Sequence, residues 1–357
     1  MSPHIAILGA GAMGSAFATP TSAAGLEVNL WGTHLDTAIL SALANGEPHP
    51  RTGQPLAAGV RLFGHEQLDE ALRGADLVAC AIASEGVLDV AGAAAAAMAA
   101  GRGAPRAVLV MSKGFAVGPG NRVELLTDLV ARILTERGIR APIIAIGGPC
   151  KANEVAGGQP TATVYAATDR TVAEQVAGMI ATDDYAIEVG GDPVGVEVAA
   201  ALKNVYAIAL GICDGLSDHF GAPRHNLKSA AFNQAVAEMS MIIELAGGVA
   251  TTAYGLPGVG DLEVTGLSGR NRAYGELLGK GIAPVEAFDR MVSSGLTVEG
   301  HAAAPFAGRL VDERGGPPAW SELPLLRLLV TSLGAGSFGE DVERALADAV
   351  LGRIRRR

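Results

Sequence analysis

The feature that most constrains this chain is a spaced set of glycines directly after its first apolar run. Residues 5–8 are apolar, Gly9-Ala10-Gly11-Ala12-Met13-Gly14 follows at once, and residues 15–24 then read as a helix. In a strand-to-helix turn the three glycines have separate tasks. The first permits the tight bend, the second lets an anionic group approach the backbone, and the third lets the helix pack on the strand. The helix N-terminus then faces phosphate. Among 48 glycines the spacing alone decides little; between a strand and a helix it marks a dinucleotide turn. Gly9, Ala10, Gly11, Ala12, Met13 and Gly14 are therefore candidate cofactor-binding residues.

Further short apolar runs follow at 27–31, 77–82, 108–111, 143–146, 163–166 and 186–189, separated by Ala-rich helical stretches. Continuous apolar runs are the signature of parallel strands buried on both faces. Their alternation with helices predicts an α/β, doubly wound Rossmann sheet. The pattern changes at Gly190-Gly191-Asp192-Pro193. Beyond it the chain reads as helices only, over 194–210, 228–246, 272–278, 284–293, 301–313 and 323–332. We expect a dinucleotide-binding domain over 1–191 and an all-helical substrate and catalytic domain over 192–357.

The end of the second strand normally selects the cofactor, an acid for the NAD ribose and a base for the NADP phosphate. Here it reads Trp31-Gly32-Thr33-His34, with Asp36 two residues later. Gly32 and Thr33 are candidate cofactor contacts, and the choice between NAD and NADP stays open.

Composition excludes other classes. A formal net charge of -10 with no compensating basic stripe argues against a nucleic-acid partner. The basic run from Arg353 to Arg357 reads as a solvated helix end. Cys80, Cys150 and Cys213 lie too far apart in sequence for a metal motif, so no metal site is expected. Residues 1–8 lack the basic start of a signal peptide, and the apolar run 90–100 is too short for a membrane span. A cytoplasmic protein is the expectation.

Lys203 is the most informative residue. It interrupts an apolar helical stretch, Val198-Ala-Ala-Ala-Leu-Lys-Asn-Val-Tyr-Ala-Ile-Ala-Leu210. Desolvation favours a neutral amine, which can take a proton from an alcohol; the alternative is a lysine snorkelling to the surface. Lys113, in Met111-Ser112-Lys113-Gly114-Phe115, follows a strand whose carboxyl end borders the ligand crevice of such folds. It could equally be a surface lysine. Asp261 could anchor the Lys203 ammonium or simply cap a turn. Arg270, with the Asn271 amide, could grip a phosphate in bidentate fashion or lie solvated at a helix start.

Taken together, GAGAMG, MSKGF, the EVA of GGPCKANEVA, ALKNVYAIALGICDGL, GDLEVT with SGRNR, and TVEG (Thr297 to Gly300) resemble NAD-dependent glycerol-3-phosphate dehydrogenases. The likeness runs from residue 9 to residue 300. The ALKN…CDGL block with GRNR is its specific part, and the glycine loop is not. The resemblance implies that Lys203 is the general base toward the C2 hydroxyl and that Lys113 polarises the substrate oxygen. Asp261 and Thr265 would organise the site, with Arg270 and Asn271 on the substrate phosphate. Gly148, Cys150, Lys151, Asn204 and Gly269 would line the substrate site. Ala152, Val298 and Glu299 would touch the cofactor, as would Lys113 and Arg270.

The family's usual GPSFA is Gly148-Pro149-Cys150-Lys151-Ala152 here, so a lysine replaces an aromatic and a thiol replaces a hydroxyl. Met13 stands for the family's aromatic in the glycine loop, and Asn233 for a frequent arginine. The cation at Lys151 could admit a longer polyol phosphate or point to solvent. Two other readings compete. β-Hydroxyacid dehydrogenases and ketopantoate reductases often carry Met where Met13 stands. They tend, however, to place an asparagine four residues after their lysine, where this chain has Ala207. A non-catalytic NAD(H) sensor would need the glycine loop and none of the placed lysines. The expected partner is a small phosphorylated polyol or ketone, and helical second domains suggest a homodimer by analogy.

Overall fold

The structure, a computed structural model, describes residues 2–101, 103–339 and 341–355, with side chains as far as Gly352. Arg356 and Arg357, the end of the basic run, lie outside the described residues. The chain separates into two compact units, Met1–Ala116 with Glu124–Glu197, and Val117–Val123 with Val198–Arg357.

The first unit is built on eight strands: β1 (His4–Leu8), β2 (Glu27–Trp31), β3 (Arg61–Phe63), β4 (Leu77–Cys80), β5 (Ala107–Val110) and, beyond a short two-stranded ribbon, β8 (Ile143–Gly147), β9 (Thr161–Ala166) and β10 (Tyr185–Gly190). The ribbon strands are β6 (Phe115–Val117) and β7 (Val123–Leu125). The sheet order is β10-β9-β8-β5-β4-β1-β2-β3. Seven helices accompany it: α1 (Ala12–Ala23), α2 (Thr37–Ala44), α3 (Leu68–Leu72), α4 (Val87–Gly101), α5 (Leu126–Glu136), α6 (Ala152–Ala156) and α7 (Arg170–Ile180). Along β1 the side chains alternate between two apolar clusters. Ile5 and Ile7 join Leu30, Leu77, Leu109 and Ile144 on one face. Ala6 and Leu8 join Val78, Val108 and Val110 on the other. Both faces are covered, which is why the strands read as unbroken apolar runs.

Three features depart from the sequence reading. The runs at 163–166 and 186–189 belong to strands that are parallel to each other, but β9 runs antiparallel to β8. A five-residue α6 is only ~8 Å long, too short to carry the chain back along a strand, so β9 starts where β8 ends. Lys113 precedes the ribbon rather than a helix. Edge strand β3 is three residues long, too short to show a period in the sequence.

The second unit holds α8 (Pro193–Phe220, whose first residues belong to the first unit), α9 (His225–Leu245), α10 (Asp261–Leu267), α11 (Arg270–Gly279), α12 (Pro284–Ser293), α13 (Glu299–Arg314), α14 (Gly316–Ala319), α15 (Pro324–Ala335) and α16 (Val342–Arg355). Helix α8 is long and apolar enough to cross a membrane, and its apolar window is wholly buried within the protein. It extends ten residues beyond the expected end at 210, through Gly211 and Gly215. Those glycines meet α11 backbone to backbone. A Cβ on Gly211 would lie 2.0 Å from the Arg272 carbonyl oxygen, and one on Gly215 2.1 Å from that of Glu276. Reciprocally, a Cβ on Gly275 would lie 2.0 Å from Ile208 O and one on Gly279 2.2 Å from Ile212 O.

Glu238, fully buried on α9, ties the bundle together. Its carboxylate accepts from the Leu325 and Leu326 amides, both at 2.7 Å, and so caps α15. It also accepts from Tyr206 Oη at 3.1 Å and Gln234 Nε2 at 2.9 Å.

Gly275→Ala should lower unfolding stability by about 2–4 kcal/mol, because the added methyl meets immovable backbone. Gly92→Ala, in a helix with nothing within 4 Å of its Cβ, should be neutral or slightly stabilising. Urea denaturation of both variants checks the contrast, and equal midpoints would contradict the contact.

Candidate active site

In the second unit the buried polar cluster is centred on Lys203. Its neighbours on α8 are almost entirely buried, and Lys203 itself is only 8 % exposed. It does not snorkel outward: Nζ donates to Asp261 Oδ1 at 2.9 Å and to Thr265 Oγ1 at 2.7 Å. Asp261 opens α10 and Thr265 lies one turn later, so both face the same direction. Asp261 is 2 % exposed, and a buried ammonium is tolerable there because a buried carboxylate neutralises it.

The next residue on α8 continues the network. Asn204 Oδ1 accepts from Asn271 Nδ2 at 2.9 Å, and Asn271 Oδ1 accepts from the Gly300 amide at 2.8 Å. Glycine is needed at 300, since a Cβ would stand 2.2 Å from Asn204 O. Arg270, at the start of α11 after Gly269, is not simply solvated. It donates to Thr297 Oγ1 at 2.6 Å and to the Glu299 carboxylate, beside a buried Val298. Next to this segment His301 stacks on Phe288 with ring centroids 4.4 Å apart, and burial lowers its pKa, favouring a neutral ring. The second unit thus gathers Lys203, Asn204, Asp261, Thr265, Gly269, Arg270, Asn271, Val298 and Glu299 along α8, α10, α11 and the start of α13.

In the first unit the glycine turn has the shape its pattern demands. Gly9 has φ +111°, and a Cβ there would lie 2.7 Å from Ala81 O. A Cβ on Gly14 would lie 1.9 Å from Gly9 O, whereas one on Gly11 would meet nothing within 4 Å. Helix α1 begins here with no side-chain cap and no acid in its first turn. Open space, an uncapped positive helix end and no negative charge suit a pyrophosphate, so these residues fit a dinucleotide. Met13 is partly buried against the core.

After β2, Asp36 folds back on the turn. Its Oδ2 accepts from Thr33 N and from Thr33 Oγ1, both at 2.9 Å. Gly32 is confined as well, since a Cβ would lie 2.7 Å from Leu40 Cδ1. At the ends of β5 and β8, Lys113 Nζ reaches Gly148 O at 3.5 Å. Cys150 is half-buried, its amide donating to Gly148 O at 2.9 Å. Lys151 is paired with Glu154 at 3.8 Å, and Ala152 begins α6.

Thr297 and Gly300 stood in the quoted TVEG segment without a role; their backbone and hydroxyl contacts have no signature in residue type. His49 was missed entirely. It lies in the irregular segment 45–60, where no periodicity operates, and its ring meets Ala10 O at 3.1 Å.

Known proteins place this geometry in context. The family profile described as NAD-dependent glycerol-3-phosphate dehydrogenase N-terminus matches residues 4–173, and the corresponding C-terminus profile matches residues 192–334. The NADP(+)-dependent glycerol-3-phosphate dehydrogenase of Archaeoglobus fulgidus is 37 % identical over 307 residues, covering 86 % of this chain and 89 % of that protein. The glycerol-3-phosphate dehydrogenase [NAD(P)+] of Thiobacillus denitrificans is 35 % identical over 93 % of this chain and 94 % of its own. The crystal structure of glycerol-3-phosphate dehydrogenase from Coxiella burnetii superposes with a TM-score of 0.81 at 25 % identity, covering 100 % of this chain and 99 % of that one. With both halves matched and relatives aligned over most of their length, this chain belongs to the NAD-dependent glycerol-3-phosphate dehydrogenase family.

Proposed function

We propose that the chain interconverts glycerol 3-phosphate and dihydroxyacetone phosphate with NAD or NADP as the redox partner, and that Lys203 is its acid and base. The observation that carries this reading is the buried Lys203 amine held between Asp261 and Thr265. The nicotinamide, when bound, supplies or receives the hydride. Lys203 gives a proton to the C2 oxygen during reduction and takes it back during oxidation. Asp261 neutralises the ammonium, and Thr265 fixes its direction. Lys113 polarises the substrate oxygen, and Arg270 with Asn271 holds the phosphate.

Gly148, Cys150, Asn204 and Gly269 line the substrate side in this reading. Lys151 pairs with Glu154 at the surface, which supports the solvent-facing alternative for that lysine and, with it, the three-carbon compound over a longer polyol phosphate. The glycine turn, Gly32, Thr33, Ala152, Val298 and Glu299 serve the cofactor. Residues 1–191 form the dinucleotide part and 192–357 the catalytic part. The assembly is a cytoplasmic homodimer in this reading, the dimer by analogy with other helical second domains.

With dihydroxyacetone phosphate, the purified protein should oxidise NADH or NADPH. Lys203→Ala should lower kcat by about a thousandfold while dinucleotide binding, read by fluorescence titration, survives. Normal turnover in that variant would remove Lys203 as the acid and base.

Arg270→Ala should reduce kcat/KM for dihydroxyacetone phosphate by about a hundredfold, with little change for unphosphorylated dihydroxyacetone. Equal losses on both would place Arg270 away from the phosphate. Lys151→Phe should leave the preference among ketose phosphates unchanged, and a shifted preference in a substrate panel would assign that lysine to specificity.

A further inference from the structure

We infer that His49 is a positioning residue for the dinucleotide turn, locking segment 45–60 against Ala10 only while its ring is neutral. This rests on the dinucleotide reading of the glycine turn. His49 is 2 % exposed although it lies in a segment without helix or strand. Its ring is used on both sides. Nδ1 faces the backbone amides of Arg51 at 3.0 Å and Thr52 at 3.4 Å, so that nitrogen accepts. Nε2 faces Ala10 O at 3.1 Å, so that nitrogen carries the proton and donates.

The backbone closes the same loop, His49 N donating to Gln54 O at 2.8 Å and Gly53 N to His49 O at 2.9 Å. Ala10 lies between Gly9 and Gly11 in the turn, and its carbonyl also accepts from Ser15 Oγ at 3.0 Å. The neutral imidazole is thus a clamp between an otherwise irregular loop and the residue that sets the turn.

Protonation leaves the Nε2–H donor to Ala10 O in place, a contact that favours the charged ring, and breaks the other half of the clamp, so the ring no longer ties the loop to the turn. A second ring proton on Nδ1 would point at two N–H donors, which cannot accept it. Burial is the largest influence on the ring and lowers its pKa below the ordinary imidazole value. The charged groups facing it oppose one another: Arg51, on the same loop, disfavours protonation, and Asp36, on the turn after β2, favours it. With the folded-state value depressed, the clamp is complete above the ordinary imidazole range. It is lost as pH falls through the lowered one. Dinucleotide affinity should therefore weaken on acidification.

The test is NADH binding by fluorescence titration, without substrate, from about pH 8 to about pH 5 in the wild-type protein and two variants. The wild type should lose affinity progressively as pH falls below the ordinary imidazole range, by up to about tenfold, the cost of one misplaced hydrogen-bonded clamp. His49→Gln keeps a donor for Ala10 O and cannot titrate; it should bind near the wild-type neutral-pH affinity with a flat profile. His49→Ala should bind about tenfold more weakly at every pH. A flat wild-type profile, a His49→Gln profile that titrates like the wild type, or an undiminished His49→Ala would each overturn the inference. Should His49→Ala not fold, the wild-type and His49→Gln profiles decide. Absence of NADH binding in the wild type at any pH would instead sink the dinucleotide reading itself.

Discussion

The arrangement of the second unit depends on one constraint, the backbone contact between α8 and α11. Helices with ordinary side chains keep their axes 8–10 Å apart. Gly211 and Gly215 on α8 face Gly275 and Gly279 on α11, and each missing side chain would have stood within about 2.2 Å of a carbonyl oxygen opposite. This four-residue spacing on both helices lets main chains meet where a single Cβ would force them apart. The consequence reaches the chemistry. With α11 pressed against α8, Asn271 at its first turn comes into hydrogen-bond range of Asn204, one residue from Lys203. Gly300 brings the start of α13 onto the same stretch. The side-chain network is therefore set by main-chain packing rather than by the flexible reach of its members.

That rigidity explains how a lysine can be held in an apolar helix. An isolated buried ammonium is very costly, and a long side chain normally escapes to water. Lys203 cannot escape because the surrounding positions on α8 are filled, and it need not, because Asp261 and Thr265 meet it at 2.9 Å and 2.7 Å. Glu238 solves the same problem with the opposite charge, taking amides, a phenol and a side-chain amide as partners. Lys203 is balanced by one carboxylate and one hydroxyl. Glu238 is saturated, and its role is to cap a helix.

How far the sequence foretold this depended on the kind of signal each residue gives. A charge inside an apolar helical period is conspicuous, so Lys203 was legible. Its pairing with Asp261, tens of residues away, was open in the sequence as one of two readings of that carboxylate, and Thr265 entered only through the resemblance. Helix α12 matched its expected span, with Pro284 at its first position and an apolar stripe along it. Strands β1, β2, β4, β5 and β8 matched within a residue or two because buried parallel strands are nearly uniform in character. The expected end of α8 at 210 failed for an identifiable reason. Glycine costs a helix about 1 kcal/mol relative to alanine, and local propensity argues for a break at Gly211. Close packing on α11 offsets that cost, and tertiary contact is invisible to a local reading. His49 was illegible for the complementary reason, since its partners are backbone atoms that carry no sequence identity.

Glycine itself shows why pattern and mechanism must be separated. In the turn after β1 the same residue type answers three demands. Gly9 adopts a left-handed conformation at φ +111°, Gly14 vacates space already taken by a carbonyl, and Gly11 leaves room that none of the described residues fills. Only the last has the character of a ligand site. In the helical unit all four glycines of the α8–α11 contact resemble Gly14, excluded by a neighbouring carbonyl. A spaced set of glycines therefore predicts close approach but not by what. The distinction lies in whether the vacated volume is occupied, and in the first unit the empty one lies at an uncapped helix N-terminus, where an anion is stabilised by the helix dipole and the orphan amides.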